Sequence, residues 1–464
     1  MTTDPQRAIQ DLYEAYDRRE DRLLKDYFEL LRFPSISSEP DRTSDMRACA
    51  DWLARYLKGL GFEVELWEGP GHPAVFARHL GAGPEAPTAI IYNHYDVQPV
   101  DPLELWESPP FEPTIRDHAV YARGASDNKG QLFYNLTALR LLLERNGRLP
   151  LNVKLCLDGQ EEDGSQTLFN LLPGKQKEMA ADHLLVVDLG LGSPTFPAVT
   201  LGVRGIVTMR LTVTGSNGDL HSGTHGGMAV NPNHALAELL AGLRDASGRV
   251  TVAGFYDEVE ELSDAERQGL NFRFDARRYQ QTFGAEPLGG EKAYPPRESA
   301  TIRPTLEING LAGGYAGTGF KTVIPAKAWA NLSCRLVPRQ DPATIARRVK
   351  AHLERHAPAG VRVEVQILEG GGPAVRTRSD SRVVKAAARA YEEVTGAPCH
   401  YMLEGGSIPI VPDLARATGA EVVMMGWGIG TDNVHAPNEH FHLDRLKKGC
   451  ATMARTLEIL AEKE

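Results

Sequence analysis

Seven acids and imidazoles lie at or just after the ends of apolar, strand-like segments of the sequence. They are His94, Asp96, Asp127, Glu161, Glu162, Asp188 and His435. In open α/β sheets the functional crevice lies outside the carboxyl ends of the strands, so side chains placed there meet although they are far apart in the chain. Carboxylates and imidazoles without a thiolate suit zinc, manganese or cobalt. The pattern therefore predicts one metal centre built from separate segments.

Each of these residues also has an ordinary structural interpretation. His94 could belong to a surface loop, His435 could be structural, and Asp127 could cap the helix that follows it. The adjacent Glu161 and Glu162 could be solvated loop acids. Their joint occurrence at strand ends favours the metal centre. Since neighbouring residues point apart in such a loop, one glutamate could bind metal while the other acts as general base, and the sequence does not distinguish them.

The ligand set is large enough for two ions that share a bridging carboxylate and a water molecule. Asp188 belongs to this set because an acid directly after a buried strand is costly unless it is paired or bound to metal. Two such ions polarise a carbonyl group and generate hydroxide near neutral pH, so hydrolysis is the favoured reaction class.

Alternating strand and helix patterns predict the elements that position these residues. Up to about residue 200 they predict an α/β fold, with a mixed sheet covered by helices on both faces. The pattern then changes to strand, helix, strand, helix, strand with one solvated face, over residues 205–214, 233–243, 321–336, 342–356 and 361–368. This change predicts a smaller α+β domain inserted into the first.

We therefore predict a catalytic domain made of residues 1–200 and 376–464, with the inserted domain at 201–375. Within the inserted domain, residues 255–300 are polar and acidic, and we predict an irregular excursion with one or two helices. The main fold resumes with a helix at 381–395, a strand at 422–427 and a long final helix at 444–463.

Composition limits the partners and the compartment. The 464-residue chain carries a formal charge of −10, which disfavours nucleic acid and anionic membrane surfaces. Its five cysteines are widely spaced and form no CxxC pair, as expected in a reducing compartment. The first residues lack the apolar run of a secretory signal, and no stretch approaches the roughly 18 apolar residues of a membrane span. We expect a cytoplasmic protein.

Five motifs, in this order, resemble the cytosolic dipeptidase and carnosinase branch of the co-catalytic di-zinc metallopeptidases. They are HYDVQP (94–99), GASDNKG (124–130), GQEEDGS (159–165), DLHSG (219–223) and HAPNE (435–439). The same superfamily contains acetylornithine deacetylase and succinyl-diaminopimelate desuccinylase. The resemblance implies that the inserted domain is a lid through which two chains form a homodimer.

The resemblance also implies how the metal ligands are shared. Asp127 would bridge two divalent ions, with Zn²⁺ expected and Mn²⁺ or Co²⁺ as alternatives. His94 and Asp188 would complete one site, and Glu162 and His435 would complete the other.

Further roles follow from the same resemblance. Glu161 would be the general base and Asp96 the acid that orients a ligand. His221 would reach the active site of the partner subunit and stabilise the oxyanion. Arg335 would bind the carboxylate of the substrate, for which a guanidinium is well suited, and Ser407 would contact the substrate.

The leading hypothesis is a metal-dependent dipeptidase, in which a water bridged by two ions attacks the peptide bond of a small dipeptide and Glu161 takes its proton. The alternatives are an N-acyl-amino-acid deacylase or carboxypeptidase of the same superfamily, and an interaction protein that holds metal without catalysis. The intact Glu161, His221 and Arg335 argue against the last. Some relatives carry a histidine near residues 368–373, where this chain has Glu369, so a preference for β-alanyl-histidine is not carried over.

Overall fold

The computed structural model describes residues 5–191 and 195–462, and the chain divides into two compact units. Unit 1 comprises residues 1–201, 377–402 and 410–464, and unit 2 comprises residues 202–376 and 403–409. Residues 403–409, which the sequence analysis assigned to the catalytic domain, group with unit 2. This segment lies with unit 2 because the Arg204 amide donates to Gly406 O (3.0 Å) and the Arg204 guanidinium donates to Gly405 O (2.9 Å).

The strands of the described residues are numbered in chain order. They are β1 (Glu63–Trp67), β2 (Ala74–His79), β3 (Thr88–His94), β4 (Thr114–Arg116), β5 (Ala119–Tyr121), β6 (Asn152–Asp158), β7 (His183–Val187), β8 (Ala198–Val203), β9 (Gly205–Thr214), β10 (Leu220–His221), β11 (Thr305–Gly313), β12 (Val323–Ile324), β13 (Lys327–Leu336), β14 (Arg362–Ile367), β15 (Val375–Arg376), β16 (His400–Glu404), β17 (Glu421–Met425) and β18 (His440–His442).

The α-helices of the described residues are numbered in the same way. They are α1 (Pro5–Asp17), α2 (Glu20–Leu31), α3 (Thr43–Gly59), α4 (Lys129–Asn146), α5 (Gln166–Leu171), α6 (Gln176–Met179), α7 (Ser222–His225), α8 (Pro232–Ala241), α9 (Asp264–Gly269), α10 (Ala276–Phe283), α11 (Pro296–Thr301), α12 (Pro342–Arg355), α13 (Arg382–Thr395), α14 (Val411–Thr418) and α15 (Leu443–Leu460). The predicted end of the last helix, Lys463, lies outside the described residues.

Unit 1 is built on a mixed sheet, which confirms the predicted α/β class. Its strands follow the order β1, β2, β6, β3, β7, β17. β3 is parallel to both β6 and β7, and β17 is parallel to β7, whereas β1 and β2 run antiparallel to their neighbours. The carboxyl ends of β3, β6, β7 and β17 therefore share one edge, and His94 at the end of β3 lies opposite Asp158 at the end of β6.

Apolar composition explains why these strands are central. Every residue of β6 and of β7 is buried, as expected of parallel strands covered on both faces. The helices α3, α4 and α13 pack against strands of this sheet, and α15 packs against α4 and α13. Helix α4 ends at Gly147, whose φ of 67° gives a left-handed C-cap and whose amide donates to Leu143 O.

Unit 2 contains a four-stranded antiparallel sheet in the order β11, β13, β9, β14. Buried and partly exposed residues alternate along β9, so one face of the sheet is covered. Helices α8 and α12 pack on β9, and their apolar side chains share one core with the strands. The predicted order of strand, helix, strand, helix, strand corresponds to β9, α8, β13, α12 and β14.

Three features of unit 2 differ from the sequence-based expectations. Residues 255–300 hold three helices, α9 to α11, rather than one or two. The expected strand over 321–336 is divided into β12 and β13, because Pro325 between them has no amide hydrogen to donate to a ladder. Strand β11 was not expected, since its glycines and mostly exposed residues give no alternating apolar pattern.

Two bulk features complete the description. None of the helices among the described residues is long and apolar enough to cross a membrane. The five cysteines are free thiols, and all except Cys399 are buried.

Candidate metal centre

The carboxylate of Asp127 lies between two imidazoles. Its Oδ1 is 3.1 Å from His94 Nε2, and its Oδ2 is 3.0 Å from His435 Nε2. Helix α4 begins only at Lys129, and Asn128 precedes it without a side-chain capping bond. Asp127 is therefore not the helix cap that its sequence position also allowed, and its two oxygens face different partners.

Two groups of candidate ligand atoms share this carboxylate. One consists of His94, Asp127 and Asp188, the other of Asp127, Glu162 and His435, and within each group the atoms lie within 4.8 Å of one another. Asp188 Oδ1 is 3.3 Å from His94 Nε2, and Glu162 Oε1 is 3.2 Å from His435 Nε2. The five residues that the resemblance implied as metal ligands thus come together in unit 1.

The chemistry of this donor set fits a divalent cation. His94 Nδ1 lies 3.1 Å from the carbonyl oxygen of Asp96, so the proton of the neutral ring belongs on Nδ1. Nε2 then directs its lone pair toward Asp127 and Asp188. Three acceptors pointing at one another require a cation among them, and a ligating histidine fixed through its other nitrogen is a recurrent feature of metal sites.

Without an ion, protons provide the missing positive charge. Burial would lower the pKa of His94, but Asp188 and the hydrogen bond to Asp127 raise it well above its ordinary value. Hydrogen bonds to Asp127 and Glu162 raise the pKa of His435 to about 10. Although burial opposes it, the two imidazoles hold the pKa of Asp127 below its usual range. Metal ions and protons therefore compete for the same lone pairs.

Asp96 organises the turn that follows β6. Its Oδ1 accepts from Glu161 N (3.1 Å), and its Oδ2 accepts from Glu162 N (3.0 Å) and Ser37 Oγ (2.7 Å). Asp96 is fully buried, and its Oδ1 is also 3.3 Å from His94 Nδ1. One carboxylate thus orients a candidate ligand ring and the turn that carries both glutamates.

The two glutamates of this turn face different surroundings. Glu162 faces His435, whereas Glu161 belongs to neither ligand group. Burial raises the pKa of Glu161 well above its ordinary value, and the nearby charges of Asp188 and Glu162 add to this, although His94 opposes it. A carboxyl group that holds a proton readily, beside the ligands but not among them, is suited to acid–base chemistry.

Several buried polar residues that support the ligands were not singled out from the sequence. Asn128 donates to Asp188 Oδ1, and it accepts from Asn93 Nδ2 (2.6 Å). Asp432 accepts from Ser126 Oγ (2.9 Å) and from Arg445 Nη1 (2.6 Å). Asn128 and Ser126 flank Asp127 within the GASDNKG motif, so the motif itself was the signal that could have revealed them.

Glu439 is a further supporting residue, and it lies in the HAPNE motif beside His435. Its buried carboxylate accepts from Arg123 Nη1 (2.7 Å) and from the amide of Asp127 (2.9 Å). The sequence interpretation used this motif only for its histidine.

The remaining predicted residues lie in unit 2. His221 ends β10 and is exposed, and its Nδ1 accepts from Gly223 N (3.1 Å). Since Nδ1 is the acceptor, the neutral ring carries its proton on Nε2, which makes that atom a donor. Arg335 on β13 donates from Nη1 to Ser407 Oγ (2.7 Å).

The loop of Ser407 is held by an arginine that sequence reasoning missed. Arg204 donates from its amide and from Nε to this loop, at Gly406 O and Gly405 O, and from Nη1 to Arg303 O (3.2 Å). Its guanidinium therefore fixes backbone carbonyls, whereas the partly buried guanidinium of Arg335 donates to a side chain, that of Ser407.

Comparison with known proteins places this geometry in a family. The sequence model for Peptidase family M20/M25/M40 matches residues 90–459. The Beta-Ala-His dipeptidase of Rattus norvegicus is 31% identical over 453 residues, which cover 93% of this chain and 91% of that protein. The Cys-Gly metallodipeptidase dug1 of Schizosaccharomyces pombe is 28% identical over 462 residues, which cover 95% of this chain and 96% of that protein.

A solved structure agrees with these sequence relatives. The M20 family metallo-carboxypeptidase Sso-CP2 from Sulfolobus solfataricus superimposes with a TM-score of 0.84 and 33% identity, covering 95% of this chain and 99% of that chain. Members of this family use metal ions, in keeping with the two ligand groups around Asp127. The resemblance to the dipeptidase and carnosinase branch is thus confirmed, and the chain belongs to Peptidase family M20/M25/M40.

Proposed function

We propose that this protein is a metal-dependent dipeptidase that hydrolyses the peptide bond of small dipeptides. The observation that carries this proposal is the pair of ligand groups sharing Asp127, beside a Glu161 carboxyl that belongs to neither. The names of the relatives, a Beta-Ala-His dipeptidase and a Cys-Gly metallodipeptidase, support a dipeptide as substrate.

A carboxypeptidase activity is the second candidate, because Sso-CP2 is described as a metallo-carboxypeptidase and shares 33% identity with this chain. Turnover of a dipeptide, the matching tripeptide and the N-acetylated amino acid by zinc-loaded protein separates the possibilities. The proposal requires the dipeptide to be the best of the three substrates. Faster hydrolysis of the tripeptide would favour a carboxypeptidase, and faster hydrolysis of the acetylated compound a deacylase.

The cofactor is proposed to be two Zn²⁺ ions. His94, Asp127 and Asp188 would hold one, and Asp127, Glu162 and His435 would hold the other. When bound, such ions polarise the scissile carbonyl and lower the pKa of a water molecule. Asp96 acts as a positioning residue, since its oxygens face His94 Nδ1 and the amides of both glutamates.

Asp96→Asn is expected to weaken zinc binding about 10- to 100-fold, which is the usual effect of losing the partner of a ligating histidine. Titration calorimetry with Zn²⁺ should give two ions per chain for the unaltered protein. Asp101→Asn, at an exposed position, is the control. A zinc affinity unchanged in Asp96→Asn would contradict the assigned role.

Glu161 is proposed to move the proton. Its carboxylate takes a proton from the attacking water and later passes it to the nitrogen of the leaving amine. The raised pKa of Glu161, caused first by burial, is consistent with a group that keeps this proton between the two steps.

Glu161→Gln is expected to lower kcat for a dipeptide by about 10²- to 10⁴-fold, because glutamine cannot accept the proton. Zinc content should remain that of the unaltered protein, since Glu161 belongs to neither ligand group. Glu85→Gln, at an exposed position, is the control. If Glu161→Gln retained full kcat with zinc bound, this mechanism would be wrong.

Arg335 and Ser407 are proposed to bind the free carboxylate of the substrate. Burial lowers the pKa of Arg335, and no acid of the described residues is paired with its guanidinium, so the charge is available to an anion. Its hydrogen bond to Ser407 Oγ fixes the orientation of the planar group.

Arg335→Met is expected to lower kcat/KM for a dipeptide about 10- to 100-fold through loss of a charge-assisted hydrogen bond. The same variant should have little effect on the corresponding dipeptide amide, which has no carboxylate to bind. Arg210→Met, which removes an exposed arginine on β9, serves as the matched control. Equal losses on both substrates would show that Arg335 has another role.

The active assembly is proposed to be a homodimer that pairs through unit 2. Strand β11 lies at the edge of its sheet and exposes Ile308 and Leu311, whose exposed fractions are 49% and 63%. His221, with Nε2 as a donor, is proposed to stabilise the oxyanion at the metal centre of the partner chain.

Co-expression of His221→Ala and Glu161→Gln chains tests this arrangement. Each variant alone should be nearly inactive. In a mixed dimer, the His221→Ala chain keeps its Glu161 and receives His221 from the other chain, so one of the two centres is complete. Random pairing makes half of the dimers mixed, so about a quarter of the activity should return. Glu161→Gln co-expressed with His94→Ala is the control, because each change removes a group from the centre of its own chain. Failure of the first pair to regain activity would place the action of His221 within its own chain.

A further inference from the structure

The loop that carries Asp127 is held by one buried carboxylate, that of Glu439. Its Oε1 accepts from the amides of Ser126 (2.9 Å) and Asp127 (2.9 Å). Its Oε2 accepts from the amide of Gly124 (2.9 Å) and from Arg123 Nη1 (2.7 Å). We propose that Glu439 is a positioning residue that fixes the shared metal ligand Asp127 before any ion binds.

All the strong acceptor directions of this carboxylate are in use. Glu439 is fully buried, and Arg123 has an exposed fraction of only 1%. A buried carboxylate is costly unless it is paired and hydrogen bonded, and here one guanidinium and three amides supply those partners. Glu439 is therefore neither a metal ligand nor a general base, and its effect on the site passes through the backbone of residues 124–127.

The same carboxylate joins the loops of two metal ligands. Glu439 follows His435 in one loop, and Asp127 lies in the other, so the bond to the Asp127 amide ties them together. Two further bonds reinforce the connection: Ala122 N donates to Glu439 O (3.1 Å), and Ser126 Oγ donates to Asp432 Oδ2 (2.9 Å). Loss of the Glu439 charge should accordingly disturb the ligand group that contains both Asp127 and His435.

A second negative charge beside Asp127 also has an electrostatic consequence. Among the described residues, Arg123 is the cation that pairs with Glu439, and its Nη2 is already bonded to Pro99 O (2.9 Å). Glu439 thus holds the loop by hydrogen bonds, and the arginine that pairs with it is bonded to Glu439 and Pro99 rather than to the carboxylate of Asp127. A glutamine there would turn its amide NH2 either toward Ser126 N and Asp127 N or toward Gly124 N and Arg123, setting donor against donor in both orientations.

The test compares Glu439→Gln with Glu393→Gln in the full-length protein. Glu393 also pairs with a buried arginine, since its Oε2 lies 2.8 Å from Arg455 Nε, but it supports no metal ligand. Titration calorimetry with Zn²⁺ should show a loss of affinity of about tenfold or more for Glu439→Gln and none for Glu393→Gln. Urea unfolding of the metal-free proteins measures how far each change destabilises the fold.

Comparable destabilisation with unchanged zinc affinity in both variants would overturn the proposal, because Glu439 would then be only structural. If Glu439→Gln yields no folded protein, residue-resolved hydrogen exchange of the unaltered protein decides. The amides of Ser126 and Asp127 should be protected in the metal-free protein. Protection that develops only after zinc addition would show that the loop is not fixed in advance.

This inference rests on the metal site of the proposed function but not on the dipeptide as substrate. Zinc affinity and hydrogen exchange are measured without any substrate, so a protein inactive on dipeptides would still test it. Conversely, an active dipeptidase with an unaffected Glu439→Gln zinc affinity would overturn only the role of Glu439.

Discussion

The structure is organised around acceptor atoms that repel one another unless a cation lies among them. Asp127 faces His94 and His435 through different oxygens, and Asp188 and Glu162 approach the same imidazoles. This crowding is unfavourable in a bare protein, which is why the imidazoles hold extra protons there and the pKa of His435 rises to about 10. Divalent ions replace those protons, so metal binding must release them.

Rigid backbone makes such crowding possible. Asp96, Asp432 and Glu439 are buried acids whose oxygens accept hydrogen bonds from amides, hydroxyls or guanidinium groups. Asp96 holds the turn after β6, and Glu439 and Asp432 hold the loops of Asp127 and His435. Arginines pair with Asp432 and Glu439, and two amides and a hydroxyl group satisfy Asp96. Because these bonds oppose movement of the loops, the repulsion among the ligand atoms would be relieved by a bound cation.

The sheet of unit 1 and the candidate metal ligands could be predicted because apolar strands, and the acids that follow them, are visible in the sequence. The apolar runs of β6 and β7 predicted buried strands of a sheet, and the acids that follow these strands predicted metal ligands. The separation of Glu161 from Glu162 could not be read in that way, since it depends on which way a short turn faces. The supporting bonds of Glu439 and Arg204 were equally hidden, because they join segments hundreds of residues apart. Strand β11 was missed since glycines replace the alternating apolar residues of a typical strand.

Substrate choice rests on a different physical basis from the metal chemistry. A dipeptide, an N-acyl amino acid and a longer peptide all end in a free carboxylate, so Arg335 in its proposed role beside Ser407 would accept any of them. The bonds of Arg204 to the loop of Ser407 would make that proposed recognition rigid without making it selective. Discrimination among these substrates would then come from groups that meet the acyl side of the scissile bond, where a dipeptide carries a free ammonium group, a longer peptide carries it further away and an N-acyl amino acid has none.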